Sequence, residues 1–128
     1  MADKKLILLV DDDPDFVEAV RVIVENGGYE VEVAYDGKEG LEAVAARKPD
    51  LIVLDVMMPV MNGHEACAKL KGDQETEDIP IILLTAVADR VTTSTYTHRD
   101  MLESEAEDYM PKPVEPKELL ERIKTWVS

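Results

Sequence analysis

Three short runs in this chain are apolar throughout and stop at a polar residue: Leu6–Val10 at Asp11, Leu51–Leu54 at Asp55 and Ile79–Leu84 at Thr85. A strand that is apolar on both faces must be covered on both, which antiparallel sheets rarely need and parallel sheets always do. Between the runs lie helical patterns. Asp13 caps the first, Pro14 suits its opening position, Phe16, Val20, Ile23 and Val24 form its buried stripe, and Gly27-Gly28 ends it. Asp36 and Glu39 have capping-box spacing ahead of Leu41, Val44 and Ala45, in a helix ending near Lys48. Asn62-Gly63 opens a short helix with Ala66, Cys67 and Leu70, and Pro116 to Val127 carries Leu119, Leu120, Ile123, Trp126 and Val127 on one face. Tyr29–Ala34 alternates Val31 and Val33 with Glu30 and Glu32, as a strand at a sheet edge would, and a short fifth strand falls around Tyr109-Met110. Strands alternating with amphipathic helices predict an α/β fold, a parallel sheet with helices on both faces.

The 128 residues suit one domain, and 45% hydrophobic content is enough for a core. With 28 Asp and Glu against 14 Lys and Arg, the formal net charge is −14. That balance argues against a basic nucleic-acid-binding face and against an anionic membrane as partner, so neither nucleic acid nor membrane is expected. The early apolar run is too short for a signal peptide or a membrane span. The lone Cys67 forms no internal disulfide and suits a reducing, cytoplasmic setting. His64 and His98 have no partners at zinc-ligand spacing, and His98-Arg-Asp100 matches the start of a kinase catalytic loop by chance, since Glu105 stands where Asn is required.

Open parallel sheets bind ligands at the carboxyl ends of their strands. Those ends carry Asp11, Asp12 and Asp13, then Asp55, Thr85 and, just beyond the fifth strand, Lys112. Three consecutive aspartates would repel a nucleotide phosphate, which excludes a dinucleotide or flavin loop there. Clustered carboxylates must protonate, gain a lysine or bind a cation, and hard oxygen ligands favour Mg²⁺ or Mn²⁺. Mg²⁺ commonly bridges to a phosphoryl group, for which Thr85 supplies a hydroxyl and Lys112 an ammonium. Asp55 is then a carboxylate nucleophile able to form an aspartyl phosphate.

Val10-Asp-Asp-Asp-Pro-Asp15, Pro49-Asp-Leu-Ile-Val-Leu-Asp-Val-Met-Met-Pro59 with Met61-Asn-Gly63, Leu83-Leu-Thr-Ala86 and Tyr109-Met-Pro-Lys-Pro113 together resemble the receiver domain of two-component response regulators of the chemotaxis-regulator kind. The resemblance covers nearly the whole chain. It implies a flavodoxin-like (βα)5 fold with strand order 2-1-3-4-5, a single receiver domain over residues 1–128 and no effector domain in these residues. It implies further that Asp55 takes a phosphoryl group from a sensor histidine kinase or a phosphotransfer protein. Asp12, Asp55 and the backbone carbonyl of Met57 would ligate Mg²⁺, with Asp11 holding a metal-bound water. Thr85 and Lys112 would contact the phosphoryl oxygens, Ala86 would leave access, Tyr109 would act as the aromatic switch coupled to Thr85, and the Lys112–Pro113 bond would be cis. Such a domain is not an enzyme beyond self-catalysed transfer to and hydrolysis from Asp55. It would signal to a downstream protein or effector domain, as a monomer or a phosphorylation-dependent homodimer.

Simpler readings stand beside these. An acid cluster can merely cap a helix, and Tyr109 can be plain core. A receiver-like scaffold indifferent to phosphorylation is one alternative. A haloacid-dehalogenase-type phosphatase with Asp11 as nucleophile is another, though Asp15 stands where that motif wants Thr or Val. The chain also departs from the family. Twenty-four positions separate Thr85 from Tyr109, more than receivers usually show, and Glu105 replaces a common glycine. The extended region between the fourth strand and a fourth helix near His98 to Leu102 reads as a tolerated surface insertion, with a remodelled output face as the alternative. Met57 and Val87 flank the site, and their bulk predicts slow self-dephosphorylation.

Overall fold

The computed structural model describes residues 4–56, 63–86 and 106–127. Five strands, β1 (Leu6–Val10), β2 (Glu30–Ala34), β3 (Leu51–Asp55), β4 (Ile81–Ala86) and β5 (Asp108–Lys112), alternate with helices α1 (Pro14–Asn26), α2 (Gly37–Ala46), α3 (Gly63–Lys71) and α4 (Pro116–Val127). All pairings are parallel and the order is β2-β1-β3-β4-β5, the doubly wound α/β arrangement that the motifs imply.

The uniformly apolar strands are explained by two cores. Side chains alternate across a strand, so Leu8, Val10, Ile52, Leu54, Ile81 and Leu83 pack on one face with Val44 of α2 and Ala66, Cys67 and Leu70 of α3. Ile7, Leu9, Leu51, Val53, Ile82 and Leu84 pack on the other with Val20 and Val24 of α1 and Leu119 and Ile123 of α4. At the outer edge, β2 keeps its alternation, and Arg47 grips Glu30 through both terminal nitrogens, at 2.8 and 2.9 Å, while reaching Glu32 at 3.2 Å. A charged clasp of this kind discourages a further strand from pairing there.

The strand β2 starts at Glu30 rather than Tyr29 and α2 ends at Ala46 rather than near Lys48, and two further boundaries bear on the site. The fourth strand starts at Ile81 rather than Ile79, because Pro80 has no N–H for a ladder and Ile79 instead closes a turn onto the Thr76 carbonyl at 3.1 Å. The fifth strand runs to Lys112 through Pro111, which pairs with Thr85; at the sheet edge a proline sacrifices no ladder bond on its open side. That extension brings Lys112 level with the end of β4, beside Ala86.

The caps are those expected. Asp13 accepts hydrogen bonds from the Asp15 and Phe16 amides, and Asp36 accepts one from Glu39, whose own carboxylate takes the Tyr35 amide at 2.9 Å. After α1, Gly28 has φ +97°, a left-handed conformation that suits glycine and turns the chain into β2. Among the described residues no helix is long and apolar enough to cross a membrane.

Candidate functional site

The register of the sheet brings the polar residues to one rim. Val10 lies beside Leu54, so Asp11 and Asp55 leave neighbouring strands side by side, and Asp55 pairs with Leu84, which places Thr85 one step beyond it. Asp11, Asp55 and Thr85 are buried, with Asp55 only 4% exposed, while Asp12 is open to solvent. Oxygens of Asp11, Asp12 and Asp55 all lie within 4.8 Å of one another.

Lys112 closes the cluster. Its Nζ donates to Asp11 Oδ2 at 2.7 Å and lies 3.2 Å from Asp55 Oδ1, with the Phe16 ring centroid 4.3 Å away. The other Asp11 oxygen accepts the Asp13 amide at 3.0 Å, so both of its carboxylate oxygens are engaged. The Lys112–Pro113 peptide is cis.

Among the described residues, one ammonium faces three carboxylates, which it does not balance. Burial, and after it the charge of Asp11, pushes the Asp55 carboxyl up to about 6 against the pull of Lys112. Burial would lower the Lys112 ammonium, but its hydrogen bonds and charge contacts with Asp11 and Asp55 outweigh burial and hold it above the ordinary lysine value. The group thus retains an uncompensated negative charge built wholly of hard oxygen donors, next to an open side at Asp12. This donor set fits a small divalent cation that keeps part of its water shell, as Mg²⁺ does.

Asp11, Asp12, Asp55, Thr85 and Lys112 therefore share one rim. Tyr109 is half-buried, pairs with Leu83 and packs against the core on the α2–α3 side. Met57, Val87 and the extended region beyond Ala86 lie outside the described residues, as does the position near His98 where a further helix is expected. Cys67 is buried in the core.

Two polar arrangements have no counterpart in the sequence reading. Phe16 reads as a core residue of α1, yet its ring also faces Lys112; its place in the first turn of a helix that starts at the acidic rim was the available signal. At the opposite end of the sheet, Lys71 is buried and donates to the Glu77 and Ile79 carbonyls and to Glu107, which in turn accepts the Ile81 amide. Lys71 and Glu107 stand 36 positions apart, and no local pattern announces them.

Comparison with known proteins agrees with this geometry. The family model for the response regulator receiver domain matches residues 7–124. The DNA-binding response regulator MtrA of Mycolicibacterium smegmatis is 40% identical over 121 residues, covering 94% of this chain and 50% of that protein. Among solved structures, the signal receiver domain of a signal transduction histidine kinase from Syntrophus aciditrophicus superposes with a TM-score of 0.88 at 34% identity, over 96% of this chain and 89% of that one. The receiver domain of the sensor histidine kinase PA1611 from Pseudomonas aeruginosa, described with a magnesium ion coordinated in its active site cleft, gives 0.85 at 25% identity over 98% of both chains.

One expectation is corrected by these relatives. The acidity of the chain led to the reading that nucleic acid is not a direct partner, whereas MtrA is named as DNA-binding. Net charge describes the surface of these 128 residues only, and the chain spans about half the length of the curated relatives it matches. A charge sum over half of such a protein does not constrain what the other half touches. With the parallel sheet, the acidic rim and a family match over residues 7–124 in agreement, the chain belongs to the response regulator receiver domain family of two-component signalling.

Proposed function

We propose that Asp55 is the phosphoacceptor of a two-component phosphorelay, and that phosphorylation there switches partner binding through Thr85 and Tyr109. The observation that carries this reading is the placement of Asp55: buried, raised to about 6, and touched on one oxygen by Lys112. An Asp55 oxygen attacks the phosphorus of a phosphohistidine on a sensor kinase. The P–N bond breaks, its electron pair returns to the imidazole nitrogen, and that nitrogen takes a proton, leaving an acyl phosphate on Asp55. Lys112, already 3.2 Å from Asp55, transfers its hydrogen bond to a phosphoryl oxygen, and Thr85 offers its hydroxyl from the next strand.

Asp12 and Asp55, with Asp11 through a water, would hold Mg²⁺, which when bound supplies positive charge against the incoming phosphoryl oxygens. Asp11 serves poorly as the nucleophile of a phosphatase, since one oxygen is bonded to Lys112 and the other to the Asp13 amide. That engagement favours Asp55. The chemistry is self-catalysed and confined to Asp55, so the domain acts as a switch rather than as an enzyme with a separate substrate, and its phosphodonor places it in the cytoplasm. The drawn-in Thr85 would bias two conformations, with the half-buried Tyr109 following it inward.

Incubation with Mg²⁺ and acetyl phosphate, followed by intact-mass measurement, tests the reading. A phosphoryl adduct that disappears in Asp55→Asn is expected. No adduct, or one that survives that substitution, would overturn it.

A further inference from the structure

Among the described residues the Lys112 ammonium is held from three sides, and only two of them are carboxylates. Asp11 takes a hydrogen bond at 2.7 Å, Asp55 forms an ion pair at 3.2 Å, and the face of Phe16 stands 4.3 Å away. The electron-rich face of an aromatic ring attracts a cation without accepting a directed hydrogen bond or bringing a competing charge. Phe16 is itself fixed: Asp13 caps α1 through the Phe16 amide, and the ring packs against the core beside α1 and α4.

We propose that Phe16 is a positioning residue for phosphoryl transfer, holding the Lys112 ammonium over Asp55 while the charge on Asp55 changes. The inference rests on the phosphoacceptor reading of Asp55. The Asp55 oxygen that engages Lys112 loses its full negative charge as it bonds to phosphorus, and Asp11 would share its charge with a water of Mg²⁺ when that ion is bound. Both carboxylate contacts therefore weaken at the moment when Lys112 must meet the phosphoryl group. The ring contact does not depend on either charge. A lysine side chain has a flexible four-carbon stem and a strongly hydrated head, and the Lys112 side chain is 23% exposed, so without the ring the ammonium has solvent into which to turn.

The experiment compares the wild type with Phe16→Leu, which keeps apolar bulk and removes the ring, and with Phe16→Tyr, which restores a ring. Two readouts are taken on the intact chain. In Mg²⁺-free protein, NMR of the Lys112 side chain reads its position directly: upfield ring-current shifts are expected in the wild type and Phe16→Tyr, and their loss in Phe16→Leu. With Mg²⁺ and acetyl phosphate, the phosphorylation rate constant is expected to fall about fivefold in Phe16→Leu, equivalent to about 1 kcal/mol, and to recover to within about twofold in Phe16→Tyr. Phe16→Met replaces Phe16→Leu if the latter melts below the assay temperature.

Unshifted Lys112 resonances in the wild type would overturn the proposal. So would a Phe16→Leu rate equal to wild type, or a Phe16→Tyr rate as low as that of Phe16→Leu, which would reduce Phe16 to packing. If the wild type takes no phosphoryl group at all, the phosphoacceptor reading fails, and the NMR comparison decides separately whether Phe16 positions Lys112.

Discussion

A carboxylate that must be ionised to hold a cation makes cation binding a titration, and Asp55 places that titration within reach of an ordinary buffer series. Its carboxyl is raised to about 6 by burial and then by Asp11. At pH 7.5 it is almost wholly ionised, at pH 6 half, and at pH 5 only about a tenth, because the ratio of ionised to protonated form falls tenfold with each pH unit. Apparent Mg²⁺ affinity should therefore fall about twofold from pH 7.5 to pH 6 and about tenfold from pH 7.5 to pH 5. Calorimetric titration at constant ionic strength measures this, and the dependence should flatten in Asp55→Asn. The same shift predicts the sign of the metal-free stability curve. The folded protein holds the Asp55 proton more tightly than the unfolded chain, whose value is the ordinary 3.8. Stability from this group is thus highest below that value and is lost as pH rises towards about 6. Mg²⁺ should return stability at neutral pH, where the carboxylate is charged. A Mg²⁺ affinity that changes by less than about twofold between pH 7.5 and pH 5 would refute the argument that Asp55 is the raised, cation-holding carboxylate.

Three further outcomes concern the scaffold. Lys71→Met should destabilise the fold by about 3 kcal/mol, since it orphans two carbonyls and leaves Glu107 without its buried partner; urea unfolding checks it, and a loss below about 1 kcal/mol would contradict it. Gly28→Ala should cost about 1–2 kcal/mol from the φ of +97° alone, because a Cβ there meets nothing within 4 Å; a thermal midpoint equal to wild type would count against that assignment. Asp13→Ala should cost about 1 kcal/mol through loss of the α1 cap, and should also weaken the ring-current shift of Lys112, because the cap orients the first turn that carries Phe16.

The two ends of the sheet are built for different ends. At the carboxyl rim, acids exceed cations among the described residues, and Asp55 sits in unfavourable surroundings that a cation or a phosphoryl group can change. At the amino end, Lys71 finds three acceptors at 3.0, 2.9 and 2.7 Å, and ties the end of α3 to the start of β4 and to Glu107, just ahead of β5. Stability is spent at the first and recovered at the second, a common division between a functional site and the scaffold that supports it.

Strand identity and the acidic rim were readable from sequence because both rest on local rules. A run such as Leu51–Leu54 has no polar face to leave in water, so it had to lie between two layers, and the residue after it had to emerge at the rim. The capping acids Asp13 and Asp36 were equally local, each acting within three residues. What no local pattern carried was which side chains would meet across the sheet. Lys112 reaches Asp11 over 101 positions, and only the parallel register of β4 with β5, carried through Pro111 at the open edge, brings it there. The raised Asp55 carboxyl depends on a burial that a sequence does not state. Phe16 facing Lys112 and Lys71 meeting Glu107 are likewise products of packing. By itself the sequence determined the layers and the chemical types at their rim, since hydrophobic patterning and capping act over a few residues. The tertiary structure alone decided the distances, and so the charges, because electrostatic energy depends on separation in space and not along the chain.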